Sequence, residues 1–273
     1  MIAVFFLFIG QTPIDFADYL YFQGDYRRAA LEYERIGYMD INDSNLASYA
    51  LLQAGEALLK TGEPIRAARI YSEGINKLSF DAPRFTYGLV RSEYARNNFK
   101  AVDSLASRLD HTELEWKAQV YQTYSLIFLG DTGRALVRLS SYEPGIERDS
   151  TIMLLRTPLN YRSPFLTAAM SLILPGAGQA VCGRWGDAWQ SFSITALMAG
   201  AGVYYLAFSQ DSTTSNTVKG VVFCSLGGLF WLGNIYGAAN AALDYNDFEK
   251  RKRDEQYRNL MAKFDLEPEI KRP

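Results

Sequence analysis

Residues 14 to 144 show short apolar periodicities set among many charged positions, whereas the chain from Ser163 onward is dominated by three long stretches without a single charge. These stretches cover 163–183, 188–208 and 220–243, and between 163 and 243 only Arg184, Asp187, Asp211 and Lys219 are charged. Each reaches the roughly 20 residues that a helix needs to cross ~30 Å of hydrocarbon. The pattern therefore predicts a membrane-embedded second half behind a polar helical first half. A boundary falls between Thr157-Pro158 and Ser163-Pro164, because proline tends to end helices at or before the preceding residue. The expected organisation is an apolar segment at 1–12, helical repeats at 14–150, a linker at 151–163, a helical membrane domain at 164–243 and a charged tail at 244–273.

Whole-chain averages conceal this division. A mean hydropathy of -0.11 and a net charge of -2 over 273 residues would suit an ordinary soluble protein. At the N-terminus, Ile2 to Gly10 has the length of a signal-peptide apolar core and is too short to span. No Lys or Arg precedes it, and Gly10-Gln11-Thr12-Pro13 lacks a small-x-small cleavage pattern. A signal peptide is expected there, with a helix packed on the first repeat as the alternative. Both cysteines, Cys182 and Cys224, fall in the apolar half, so the polar half can build no disulfide framework. The single His111 sits between two predicted helices and is expected to be an exposed loop residue.

The polar half repeats itself. Gly24-Asp25-Tyr26-Arg27-Arg28-Ala29 is followed by Tyr33 and Ile36, and Gly62-Glu63-Pro64-Ile65-Arg66-Ala67 by Tyr71. Asn97-Asn98-Phe99-Lys100-Ala101-Val102 is followed by Ala106 and Leu109, and Gly130-Asp131-Thr132-Gly133-Arg134-Ala135 by Leu139 and Tyr142. The turn residue recurs at 24, 62, 97 and 130, with a small or branched residue five places later. Gly or Asn would supply a left-handed turn between antiparallel helices, and the small residue would let the second helix approach its neighbour. The spacings bracket the period of about 34 of the tetratricopeptide repeat, and the segment resembles four such repeats in tandem. A generic helical-hairpin array is the plainer reading.

The resemblance implies a solenoid whose first helices line a groove that takes an extended peptide or a partner helix. Its inward-facing register falls on Asp18, Tyr21, Tyr49, Glu56, Arg84, Tyr87, Arg91, Tyr94 and Tyr124. Tyrosine offers large contact area at small entropic cost, which suits protein recognition. Residue by residue, packing is the competing role for these tyrosines. The Lys and Asn pattern with which some members of the family clamp a terminal carboxylate is not evident.

The apolar half opens with Leu174-Pro175-Gly176-Ala177-Gly178-Gln179, then Gly183-Arg184-Trp185-Gly186-Asp187-Ala188. It resembles small bacterial membrane domains with a Pro-Gly-x-Gly-Gln signature, over about 165–246, although Val181 stands where an aromatic residue is common. The resemblance carries an architecture and no defined activity. Pro175 removes a backbone donor, which makes a broken or re-entrant helix the alternative to a clean span, with Gln179 satisfying freed backbone groups. Pro175, Gly176, Gly178, Gln179 and Gly183 are the candidate residues of this motif. The spans hold no buried ionisable residue for an ion or proton site, which disfavours a pump or channel. Gly233 and Gly237 form a GxxxG pair continued by Ala241, suited to contact within the domain or between copies. Trp185, Trp189, Tyr204, Tyr205, Trp231 and Tyr236 include candidates for an interfacial aromatic belt.

Loop charges bear on orientation. Arg184 and the run Lys250-Arg251-Lys252-Arg253 favour a cytoplasmic turn and tail, while the 209–219 connection carries a single Lys219. With three crossings the repeats would lie outside and the tail inside; with a re-entrant first stretch they would share one side. The three-crossing arrangement is the expectation. The tail from Asp244 holds eight basic and eight acidic residues, which suggests a charged helix with internal ion pairs and not a lipid-seeking arm. No basic stripe supports nucleic-acid binding. Walker, HExxH, GxSxG and Cys-His signatures are missing, so no enzyme, cofactor or metal is expected, and any acid-base chemistry would rest on carboxylates and Lys.

The sequence thus points to an all-α chain: a tetratricopeptide-like helical-hairpin solenoid followed by a two- to three-helix transmembrane domain. Its expected function is that of a bacterial inner-membrane scaffold whose extracytoplasmic repeats bind a protein or peptide partner of the envelope, with self-association through the membrane helices as a further prospect. The alternative is a transport or assembly role centred on the Pro-Gly-Ala-Gly-Gln segment.

Overall fold

The computed structural model describes residues 12–39, 43–209 and 214–273, so the proposed signal peptide lies outside the described residues. Every regular element among them is helical. The chain forms two compact units, one comprising the described part of Met1–Arg156 together with Tyr257–Pro273, the other Thr157–Gln256.

The first unit is built from α1 (Pro13–Phe22), α2 (Tyr26–Met39), α3 (Ser44–Lys60), α4 (Pro64–Lys77), α5 (Ala82–Ala95), α6 (Phe99–Ala106), α7 (Glu115–Phe128), α8 (Thr132–Ser141) and α9 (Ile146–Arg156). Consecutive helices pack on one another, and α3 touches α5 as α5 touches α7, so successive hairpins stack in one direction. Local chemistry sets the helix starts. Proline opens α1 and α4, where its missing N–H costs no helical bond, and the Asp43 carboxylate accepts from the Asn45 and Leu46 amides, 3.1 Å each.

The hairpin turns are the same four times. Gly24, Gly62, Asn97 and Gly130 have φ of 80°, 76°, 58° and 81°. Each donates to a carbonyl three residues back while the next residue donates five back, as in Gly62 N to Leu59 O (3.1 Å) and Glu63 N to Leu58 O (2.9 Å). This paired closure satisfies carbonyls that a helix end would otherwise leave unbonded. Five residues on, Ala29, Ala67, Val102 and Ala135 are all fully buried, and four beyond them Tyr33, Tyr71, Ala106 and Leu139 fill the core.

The second unit contains α10 (Pro164–Ile173), the five-residue α11 (Ala177–Val181), α12 (Trp185–Val203) with a π-helical continuation to Phe208, and α13 (Thr214–Met261), whose last residues from Tyr257 belong to the first unit. Trp185–Phe208 and Thr214–Met261 are long and apolar enough to cross a membrane, and only 6% and 17% of their most apolar windows is buried. Core helices of a soluble protein would be mostly covered; these present Leu197, Leu206, Val221, Leu229 and Leu232 outward.

The stretch 163–183 does not run the length of a crossing. At its start Arg162 exchanges two backbone bonds with the Asn246 side chain (2.7 and 2.8 Å), and just past its end Arg184 pairs with Asp244 (3.1 Å). Between them Thr167 bonds to Ala238, Gln179 to Asn234, and Ser171 to Trp231. At 1.5 Å per residue the stretch therefore descends about 22 Å along α13 and returns to the level where it began. The three-crossing arrangement is corrected on this ground: the first apolar stretch doubles back, leaving α12 and α13 as the two helices of crossing length.

Candidate partner-binding groove

Repeat register places Asp18, Glu56, Arg91 and Tyr124 at equivalent positions of α1, α3, α5 and α7, forming a polar row along the first helices. Asp18 accepts from the hydroxyls of Tyr33 (2.6 Å) and Tyr49 (2.8 Å). Glu56 accepts from Tyr71 (2.8 Å) and forms an ion pair with Arg91 of the next repeat. The Tyr124 hydroxyl is bonded to Thr151 (2.9 Å). Burial alone would lower the Arg91 guanidinium, but the Glu56 carboxylate outweighs it and holds Arg91 firmly protonated.

The tyrosines expected to line an open surface are largely core. Tyr87 and Tyr124 are fully buried, Tyr49 and Tyr94 nearly so, and Tyr21 is half-buried against Tyr26 and Tyr33. Arg84 is exposed and lies 3.5 Å from Asp81. Lys117 escaped the sequence reading, although it occupies in α7 the position of Tyr49 in α3 and Arg84 in α5. The same register would have found it.

Along the face made by these helices runs the chain's own segment beyond Met261, free of helix and strand from Asp265 on. Phe264 packs edge-on against Trp116 and Tyr124, with ring centroids at 6.3 Å in both cases. The Tyr87 hydroxyl donates to the Leu266 carbonyl (2.5 Å), and the Lys117 ammonium donates to the Glu267 carbonyl. Ile270 packs on the cluster formed by α1 to α5, and Arg272 pairs with Asp15 (2.6 Å) and Asp18 (3.2 Å). The segment thus runs from α7 to α1, opposite to the repeat order. A cavity of ≈ 540 Å³ remains beside it, lined by Leu52, Phe80, Arg84, Lys117 and Ile270 among others.

The tail was expected to be a charged helix with internal ion pairs. It is helical to Met261, and three of its charged side chains bond to the rest of the first unit: Glu267 with Lys60 (3.5 Å), Arg258 with Asn97 (2.8 Å) and Arg272 with Asp15 (2.6 Å). The Asp15 carboxyl is held down at about 2 by the Thr12 hydroxyl and then by Arg272.

Buried phenols give this unit a pH limit. Burial pushes Tyr124 up to about 12, and burial with the Asp18 bond does the same for Tyr49. Unfolded tyrosine ionises near 10. The unit's stability is therefore undiminished below about pH 10 and falls as pH rises from there, by up to about 1.4 kcal/mol per pH unit for each such tyrosine. Phenolate absorbance should rise together with loss of helical circular dichroism; tyrosines that all titrate near 10 with helix intact would contradict this.

In the second unit the Pro-Gly-Ala-Gly-Gln segment is a supported break. Leu174 is extended, Gly176 is left-handed (φ 91°), and Gly183 repeats the hairpin closure of the first unit (φ 78°). Pro175 cannot donate to the Ser171 carbonyl one turn back, and the Trp231 indole donates there instead (3.2 Å). Buried Gln179 donates to the Asn234 carbonyl (3.1 Å) and side chain (2.6 Å) and accepts from Ser171 (3.1 Å), while the Gly178 amide donates to Ser171 (2.9 Å). Gly237 lies against Gln179, whereas a Cβ at Gly233 would meet no neighbour within 4 Å. Among the described residues no cluster of three or more His, Cys, Asp or Glu side chains could hold a metal. No protein-family model matches the chain, and neither a curated protein nor a solved structure shows significant similarity to it.

Proposed function

We propose that the chain is a membrane-tethered interaction scaffold: a tetratricopeptide-like array, held at the bacterial inner membrane by α12 and α13, that engages another envelope protein through the face formed by α1, α3, α5 and α7. The observation that carries this reading is that this face already holds a non-helical segment by side-chain bonds to its backbone, from Tyr87 and Lys117. Bonds to main-chain carbonyls suit peptide recognition in general. Four identical left-handed turns with buried small residues after them support the repeat assignment.

Two crossings would leave repeats and tail on one membrane face. The apolar run Ile2–Gly10, read as a signal peptide, argues for the extracytoplasmic face, since long domains translocate largely regardless of charge; Lys250 to Arg253 argues for the cytoplasmic one. We assign the extracytoplasmic face, and compartment reporters fused after residues 150 and 273 test it.

The second reading, a transport or assembly role at the Pro-Gly-Ala-Gly-Gln segment, has its own support. A cavity of ≈ 360 Å³ is lined by Gln179, Ser191, Thr195 and Asn234, and the buried Thr195 hydroxyl and Asn234 amide nitrogen have no hydrogen-bond partner. Tagged full-length protein extracted from native membranes separates the two. Under the scaffold reading, Arg84→Glu with Lys117→Glu lowers recovery of a co-isolated partner by about tenfold or more, as loss of central contacts does, and Gln179→Ala leaves it unchanged. Dependence on Gln179 with indifference to Arg84 and Lys117 would favour the second reading.

A further inference from the structure

From Phe264 to Lys271 the segment after Met261 alternates. Leu266 is buried and Phe264, Pro268 and Ile270 are partly covered, while Asp265, Glu267, Glu269 and Lys271 are exposed. That period of two is the signature of an extended strand with one face down; beyond it Arg272, itself exposed, meets the acidic end of the face at Asp15 and Asp18. Three of the four inward residues have a seat of their own, and Pro268 borders the cavity beside the segment. Phe264 has Trp116 and Tyr124, Leu266 belongs to the cluster of α5 to α8, and Ile270 to that of α1 to α5. The backbone between them is held by Tyr87 and Lys117. Of the outward side chains Glu267 meets Lys60 in an exposed ion pair (3.5 Å), so the segment is read chiefly by its even positions.

We propose that the groove is a receptor for an extended peptide of the form apolar-x-apolar-x-Pro-x-apolar-x-basic, and that residues 264–272 are its resident occupant, which a partner bearing the same pattern must displace. The inference rests on the scaffold reading and adds the ligand's register and its gate. A tethered occupant competes at an effective concentration that reaches millimolar for short flexible linkers. The apparent affinity of an incoming peptide falls in proportion to the fraction of grooves left open.

The test is a fluorescent peptide of residues 262–273 titrated into detergent-solubilised full chain and into full-chain Arg272→Glu and Leu266→Ala variants. The variants are expected to bind the peptide at least about tenfold more tightly than the unaltered chain, because their own segment is a weaker competitor. A peptide carrying both substitutions should bind neither. Arg272 is an exposed residue in surface ion pairs, so Arg272→Glu carries the test if Leu266→Ala loses its helical circular dichroism. Equal binding by the unaltered chain and the Arg272→Glu variant, no binding by either, or undiminished binding of the substituted peptide overturns the proposal. Partner recovery that depends on Arg84 and Lys117 while the peptide result fails would sink this inference alone. Recovery indifferent to those residues would sink the scaffold reading while leaving the peptide result standing.

Discussion

Glu56→Ala is expected to destabilise the repeat unit by about 3–5 kcal/mol, the usual cost of removing one partner from a buried ion pair. Against a typical total of about 5–15 kcal/mol, that is a large share. Glu56 is 5% exposed and bridges two repeats, accepting from Tyr71 within its own and from Arg91 in the next. Without it the Arg91 side chain, 14% exposed, keeps a charge that has lost its carboxylate, and the Tyr71 hydroxyl loses its acceptor inside the core. Replacing both charged groups by apolar ones, Glu56→Leu with Arg91→Met, is expected to recover most of the loss, because the penalty lies in the orphaned charge and not in the missing attraction. Hydrogen exchange of α3 to α5 in the full chain checks both variants. Equal destabilisation by the single and the double substitution would show that the orphaned Arg91 charge is not the source of the loss.

Gly178→Ala is expected to be the most damaging small change in the second unit. A Cβ there would overlap the Thr167 carbonyl, the Ala238 methyl and the Ser171 hydroxyl, two of them on α10 and one on α13, and would push apart the groups that hold the break. Overpacking of this kind costs about 1–3 kcal/mol and sometimes more. Gly176→Ala should be comparable, since a Cβ would meet the Ala188 backbone at a left-handed position. Gly186→Ala is the matched control: its Cβ would meet nothing within 4 Å, and Gly to Ala at a compatible site stabilises by about 0.4–1 kcal/mol. Thermal unfolding of the extracted protein followed by tryptophan fluorescence should rank the variants in that order. A Gly178→Ala protein as stable as the Gly186→Ala one would contradict the tight crossing.

The helical hairpins were legible because their signals are local. A left-handed turn needs Gly or Asn, a close approach needs a small residue, and both recur at a readable spacing from Gly24 to Ala135. The register also places Asp18, Glu56, Arg91 and Tyr124 at one position of α1, α3, α5 and α7. What the register could not tell was occupancy: a tyrosine facing a groove looks the same whether the groove is open or filled, and Tyr87 proves to bond the chain's own backbone at Leu266. The alternation of Phe264, Leu266, Pro268 and Ile270 was a strand-like signal, hidden by the tail's charge content. In sequence Trp231 is one of several interfacial-belt candidates, because only the fold brings its indole to the carbonyl that Pro175 leaves unbonded. The path of the first apolar stretch was equally non-local, resting on Arg162 with Asn246 and Arg184 with Asp244, pairs separated by 84 and 60 positions. Length and hydropathy alone cannot distinguish a crossing from a return.

The segment after Met261 lies along α7, α5, α3 and α1. That placement is tested most directly by a photo-activated cross-linking residue at position 270 of the full chain in native membranes, with adducts mapped by mass spectrometry. Adducts are expected within the same chain at α3 and α5, around Leu52 and Arg84, which line a cavity together with Ile270. Adducts confined to residues 157–256 or to other molecules would contradict it.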